Sequence, residues 1–273
     1  MKRDISTIST GFSYLEGPRW HEGRLWFSDL YTHQVLSILE DGSDLRVEAD
    51  VPEQPSGLGW LPDGRLLIVS MRDRTLVRRE VDGSLVIHAD LTDQTGGHLN
   101  DMVVDELGRA FVGNFGFDLM GGAQLQPANL LRVDPDGTVT EVADGLLFPN
   151  GCVITAEKVL LVNETFGNRI TAFDVAPDGA LTNRRNWAQF GDPPTETDIT
   201  KVLGELAVGG DGATLDAEGA LWVADAINGR VIRVRQGSEV ADEITLDTGV
   251  FACALGGRDG RTLFVCAAPD FHE

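Results

Sequence analysis

Six stretches of this 273-residue chain open in the same way, on a single residue placed just ahead of a strand-like run. The six openings are Glu16, Ser56, Asn100, Asn150, Asp211 and Phe251. Two carboxylates and two carboxamides in one register offer oxygen donors and nothing softer. Such a set suits a hard divalent cation such as Ca2+ or Mg2+. Zn2+ normally recruits His or Cys, and neither occupies the register. Taken singly, an Asn or Asp ahead of a strand is often no more than a turn cap. Taken together, four converging polar groups need partners once they are buried, and a cation supplies one.

The convergence depends on the elements that carry these residues. Helical periodicity is scarce. Short runs rich in Val, Leu, Ile and Trp follow turn signals such as HEGR, PDGR, DELGR and DAEGA, the pattern of hairpins. One unit recurs, as SGLGWLPDGRLLIVSMRDRTLVRREVDGS and DGATLDAEGALWVADAINGRVIRVRQGS show side by side. From Glu16 to Phe251 the openings are spaced 40, 44, 50, 61 and 40 residues apart. A period of 40–50 with four strands per copy is the mark of propeller blades. The expectation is one all-β domain over 1–273, a six-bladed β-propeller with four-stranded blades and a central metal site. The short last copy, FACALGGRDGRTLFVCAA, would borrow a closing strand from residues 4–12. In a propeller the innermost strand of each blade starts near the axis, so the six openings would point to one place. The longer steps mark insertions around 116–127 and 191–209, expected over the tunnel mouth.

Composition narrows the partners. A net charge of −21 disfavours nucleic acid, which requires clustered Lys and Arg, and anionic membranes for the same reason. The acids are spread along the chain, as on a solvated surface. Three Cys without a CxxC pair, and a start lacking an apolar stretch, predict free thiols in the cytoplasm. Cys152 reads as a small core residue, and Trp26 and Trp222, at equivalent blade positions, as core between blades. There is no G-x-S-x-G nucleophile elbow, and Ser56 has no evident His partner.

The motifs LEGPRW (15–20), WFSD (26–29), LND (99–101), PNG (149–151), TNRRNW (182–187), DGATLDAEGALWVA (211–224), GRVIRV (229–234) and CALGG (253–257) together resemble the family of senescence marker protein 30 (regucalcin), gluconolactonase and luciferin-regenerating enzyme. The resemblance spans nearly the whole chain. It implies a single-metal propeller that hydrolyses lactones and related esters. Carried over by motif, it makes Glu16, Asn150 and Asp211 the metal ligands, and Asn100 a neighbour of the metal that contacts substrate. Sugar-lactone members place an Arg two residues before that Asn; here the position is His98. An acidic residue eighteen positions after the Asn falls on Asp118, by spacing across an insertion.

The flank NFGFDLM supplies Phe115, Phe117, Leu119 and Met120. With His98 in place of Arg, it points to a lactone or ester less polar than a sugar lactone. Phe115, His98, Asn100 and Asp118 are the expected substrate contacts. One divalent cation is expected, Ca2+ ahead of Mg2+, Mn2+ and Zn2+. It would polarise the carbonyl while Asp211 activates water and Asn100 orients the substrate. His98 would bind the ring oxygen or shuttle a proton. Two other readings share the site: a phosphotriester hydrolase, and a metal- or small-ligand-binding propeller without catalysis. A monomer or weak homodimer acting on a small molecule is the expected state.

Overall fold

Hairpins dominate because a left-handed residue recurs at each inner turn. The turn between the first two strands of a blade holds Gly23 (φ 78°), Gly64 (φ 85°), Gly108 (φ 82°) and Gly219 (φ 76°) in four blades. In the remaining blade Lys158 takes that conformation, at φ 62°, where a Cβ is crowded. Its ammonium reaches Glu106 at 2.6 Å, yet both side chains are half or more exposed, so the pair contributes little. Lys158→Gly is therefore expected to stabilise the fold by roughly 0.5–1 kcal/mol. A urea unfolding midpoint that stays or falls would contradict the turn argument.

The computed structural model describes residues 4–270. Five sheets have four antiparallel strands each. The first contains β1 (Leu15–His21), β2 (Arg24–Asp29), β3 (Gln34–Ile38) and β4 (Arg46–Asp50). The second contains β5 (Pro55–Trp60), β6 (Leu66–Ser70), β7 (Thr75–Arg79) and β8 (Leu85–Asp90). The third contains β9 (Leu99–Val104), β10 (Ala110–Asn114), β11 (Ala128–Val133) and β12 (Val139–Leu146). The fourth contains β13 (Pro149–Ile154), β14 (Val159–Glu164), β15 (Arg169–Val175) and β16 (Leu181–Gln189). The fifth contains β17 (Gly210–Leu215), β18 (Leu221–Asp225), β19 (Arg230–Arg235) and β20 (Glu239–Thr245). A further sheet has only β21 (Gly249–Gly256) and β22 (Thr262–Ala268).

The propeller thus has five blades, and the expectation of six four-stranded blades is corrected. The two-stranded sheet fills the remaining sector, with β21 packed against both β1 and β17. Trp20 stacks on Phe264 at 5.4 Å across that seam. Residues 4–12 form no strand. They run as irregular chain, and Phe12 packs edge-on against Phe27 at 5.3 Å. The polar alternation of DISTIST offers no apolar face that a sheet would bury.

Burial falls from the axis outward. Strands β6 and β10 are buried throughout, whereas β8 and β20 are largely exposed. Trp26 meets Trp60 of the next blade edge-on at 5.5 Å. Trp222 packs beside Cys253 and Leu263 of the two-stranded sheet, so both tryptophans lie between sheets, as expected. The three Cys are free and buried, and burial pushes the Cys253 thiol up to about 12. Among the described residues no helix is long and apolar enough to cross a membrane.

Candidate functional site

Each innermost strand departs from regular register at its opening residue. Irregularities fall between Glu16 and Arg19, Pro55 and Leu58, Pro149 and Cys152, Gly210 and Ala213, and Val250 and Ala252, while β9 slips opposite Val112 and Asn114. A bulge re-aims a side chain without breaking the sheet, and here it is repeated around the ring. A glycine follows four of the six openings because neighbouring inner strands nearly touch. A Cβ on Gly17 would lie 2.6 Å from the Ser56 carbonyl oxygen, and one on Gly212 would lie 2.7 Å from the Ala252 Cα. A Cβ on Gly151 would press on the Asp211 backbone.

Asp101 stands where the third blade would have that glycine. Its Oδ1 caps the Met102 N–H at 2.8 Å and accepts from Arg19 Nη2 at 2.6 Å. Arg19 also donates to the Met102 carbonyl at 2.7 Å, tying the first blade to the third.

Glu16, Asn100, Asn150 and Asp211 are all buried. Asn150 donates from Nδ2 to Thr165 Oγ1 at 3.2 Å, and that hydroxyl donates to the Gly210 carbonyl at 2.8 Å. The amide is thereby turned so that its oxygen is left over. Asn150 Oδ1 and Asp211 Oδ1 are buried with no hydrogen-bond partner among the described residues. Asn100 spends Nδ2 on the Pro149 carbonyl at 3.3 Å. Asn163 Nδ2 holds the Asp211 carbonyl at 2.5 Å.

Burial, and then the charge of Asp211, drives the Glu16 carboxyl well above its ordinary range. Burial and Asp101 do the same to Asp211, opposed by hydrogen bonding from the Asn150 amide. The Tyr14 phenol beside them is pushed up by burial and by both carboxylates. Among the described residues no three His, Cys, Asp or Glu cluster as a metal site. The axis instead holds two carboxylates and two amides. Orphaned buried oxygens on Asn150 and on Asp211 itself, with the Glu16 carboxylate unfavourably close to Asp211, are a donor set that a hard cation fits, and an unpaired buried oxygen is costly otherwise.

A pocket of about 260 Å3 opens at the same end of the ring, lined by Arg72, Arg74, His98, Phe115, Asp118 and Met120 among others. Cross-strand pairing explains the meeting. Pro55 pairs with Ser70 and Leu99 with Asn114, so the loops after β6 and β10 share one end of the ring with the strand openings. The expected contacts His98, Phe115 and Asp118 come together there. Asn100 does not line this pocket; it lies in β9, two residues after His98.

Phe115 stacks on Phe148 at 4.5 Å, and Phe148 meets Phe166 at a tilt, 4.9 Å apart, an aromatic wall that includes the residue two before Asn150. Phe148 holds φ 60°, a costly backbone for an aromatic residue. Both insertions lie at this end and touch: Leu125 N–H donates to the Thr197 carbonyl at 2.8 Å. The second carries the helix α1 (Ile199–Glu205), capped by Asp198, whose Val202 joins the apolar cluster of Phe115, Phe117 and Phe148.

Sequence reasoning missed Asp101, Arg19, Asn163, Thr165, Arg72 and Arg74. Asp101 had a signal, since it sits inside LND. Arg19 likewise sits inside LEGPRW, on β1; the others lie at a second-strand end or in loops, where only the folded ring brings them to the site.

This arrangement defines an all-β propeller with a polar axis and a capped mouth. Residues 15–269 match the SMP-30/gluconolactonase/LRE-like region, and the chain belongs to that family. It is 30% identical over 268 residues to the pentonolactonase XacC of Haloferax volcanii, covering 96% of this chain and 84% of that one. A gluconolactonase of Xanthomonas campestris is similar in structure, with a TM-score of 0.72, 25% identity, and coverage of 94% and 84% of the two chains. A calcium-binding regucalcin of Agrobacterium tumefaciens shares the fold at a TM-score of 0.76 and 22% identity, over 94% and 82%.

Proposed function

We propose that this chain is a lactonase that opens its substrate with the help of one divalent cation, Ca2+ in preference to Mg2+, Mn2+ or Zn2+. The observation that carries the reading is the pair of buried, unpartnered oxygens, Asn150 Oδ1 and Asp211 Oδ1, beside Glu16. Glu16, Asn150 and Asp211 would hold the cation. When bound, the cation supplies Lewis-acid polarisation of the lactone carbonyl and offsets the negative charge that grows on its oxygen.

The chain's own residues do the rest. Asp211, a carboxylate at the opening of the fifth blade, accepts a proton from the attacking water. The water oxygen bonds to the carbonyl carbon, the ring C–O bond breaks, and the proton passes to the departing ring oxygen, leaving a hydroxy acid. Asn100 orients the substrate from the next blade. His98, Phe115 and Asp118 receive the substituents. His98 is held below its ordinary range by burial and by Arg72, so it meets them as a neutral imidazole. The aromatic wall excludes water, which strengthens every polar contact inside. The likeness to a pentonolactonase and a gluconolactonase supports the same reaction class.

The test sets lactones of varied ring size and polarity beside a phosphotriester, with chelated protein and each cation added back. Lactone opening should vanish on chelation and return with Ca2+. Turnover of the phosphotriester alone would move the reading to phosphotriester hydrolysis, and full activity in the chelated protein would remove the cation.

A further inference from the structure

The pocket at the cradle's end of the ring has a charge opposite to that of the molecule. In a chain of net charge −21, two arginines, one histidine and a single acid line it. Most arginines here are ion-paired, from Arg19 to Arg235. Among the described residues Arg72 has neither a side-chain hydrogen bond nor a carboxylate partner. Its backbone is anchored, with its N–H donating to the Glu53 carbonyl at 3.0 Å.

Arg74 spends one Nη1 hydrogen bond on the Thr95 carbonyl at 2.9 Å, and its backbone holds φ 56°, a conformation disfavoured for a long side chain. Asp73, between them, accepts from the Thr75 hydroxyl at 3.3 Å and does not line the pocket. The one acid that does, Asp118, caps the Gly121 N–H at 2.8 Å. The positive field is felt locally, since both guanidiniums help to keep the His98 imidazole below its ordinary range. A guanidinium left without a partner at the mouth of a small pocket matches the planar oxygens of an anionic group.

We infer that Arg72 and Arg74 form a subsite for an oxyanion on the substrate, so that the lactone taken here carries a carboxylate or phosphate beside its ring. The inference rests on the lactonase reading, and its test separates the two. The probes are γ-butyrolactone-γ-carboxylate, the matching uncharged γ-carboxamide, and a γ-phosphoryloxymethyl analogue. With wild type, the kcat/KM ratio of carboxylate to carboxamide should exceed about 10, a range expected for a partly solvated charged contact. Arg72→Gln should cut that ratio roughly tenfold, mainly through KM, and Arg72→Glu should bring it below one. A phosphate ratio above the carboxylate ratio would name phosphate as the source of the anion. A ratio unchanged in both variants overturns the subsite.

If wild type opens none of these lactones, the lactonase reading fails, and the subsite is then judged by binding alone. Calorimetry with cyclopentanecarboxylate and cyclopentanecarboxamide serves, since neither can be hydrolysed as a lactone. Preference for the carboxylate that is lost in Arg72→Glu supports the subsite, and equal affinity for the two probes overturns it.

Discussion

Replacing Asp211 by asparagine is expected to lower kcat/KM for lactone opening by about 10^3-fold, the scale of losing a positioned base. Asparagine keeps the volume and one oxygen at a position that is 6% exposed. It cannot take the proton from water. The substitution should not harm the fold. Asp211 is the charge that raises Glu16 most after burial itself, so its removal eases the cation-free axis, and the melting temperature without cation should hold or rise. Activity and stability would then move in opposite directions, which unfolding cannot produce. Near-normal turnover in Asp211→Asn would remove Asp211 as the base.

The second large effect concerns pH and cation together. In the folded, cation-free chain, Glu16 and Asp211 are raised above their ordinary values of 4.5 and 3.8. The folded state then binds more protons than the unfolded one, so stability is present at low pH and is lost as pH rises through the folded-state values. A divalent cation replaces those protons and should reverse the loss. At a hundred times its Kd it contributes about 2.7 kcal/mol. That contribution should shrink in acid, where protons compete for the same oxygens. The measurement is the melting temperature of chelated protein from pH 5 to 8, with and without Ca2+. The difference between the two curves isolates the axis from the many surface carboxylates. Curves that superimpose at every pH would sink the cation reading, and a gap that is constant with pH would place the cation elsewhere.

The repeat was legible because turns are local chemistry. HEGR, PDGR and DAEGA each need a left-handed residue, and glycine declares it. The fourth blade has no glycine at that turn, and Lys158 holds the conformation there at a cost. The opening register was legible too, since one residue per repeat is a spacing and not a contact. The last sheet was misjudged for a related reason. FACALGGRDGRTLFVCAA shows two strands and has two; the expectation completed the blade by symmetry, with residues 4–12, where no apolar alternation supports a strand.

At the site, the sequence pointed to Glu16, Asn100, Asn150 and Asp211, and to His98, Phe115 and Asp118 around a pocket. It did not reveal Thr165, whose hydroxyl turns the Asn150 amide from one strand away. Nor did it reveal Arg72 and Arg74. MRDRT reads as a solvated turn, and only the ring brings it opposite His98. Contacts between blades are set by tertiary geometry, which no local pattern encodes.

The closure of the ring by β21 and β22 bears on how the molecule is made. Glu16 lies in the first blade and Asp211 in the fifth, 195 residues later. Bringing two such distant points together costs a chain entropy of about 5 kcal/mol before any contact repays it. Early blades can form as each hairpin leaves the ribosome, since their pairings are short in sequence. The cradle cannot, because its two carboxylates meet only when the last sheet wedges between the first and fifth blades. The chemistry is therefore the final product of folding, and a chain cut short of β21 would keep its blades and have no site.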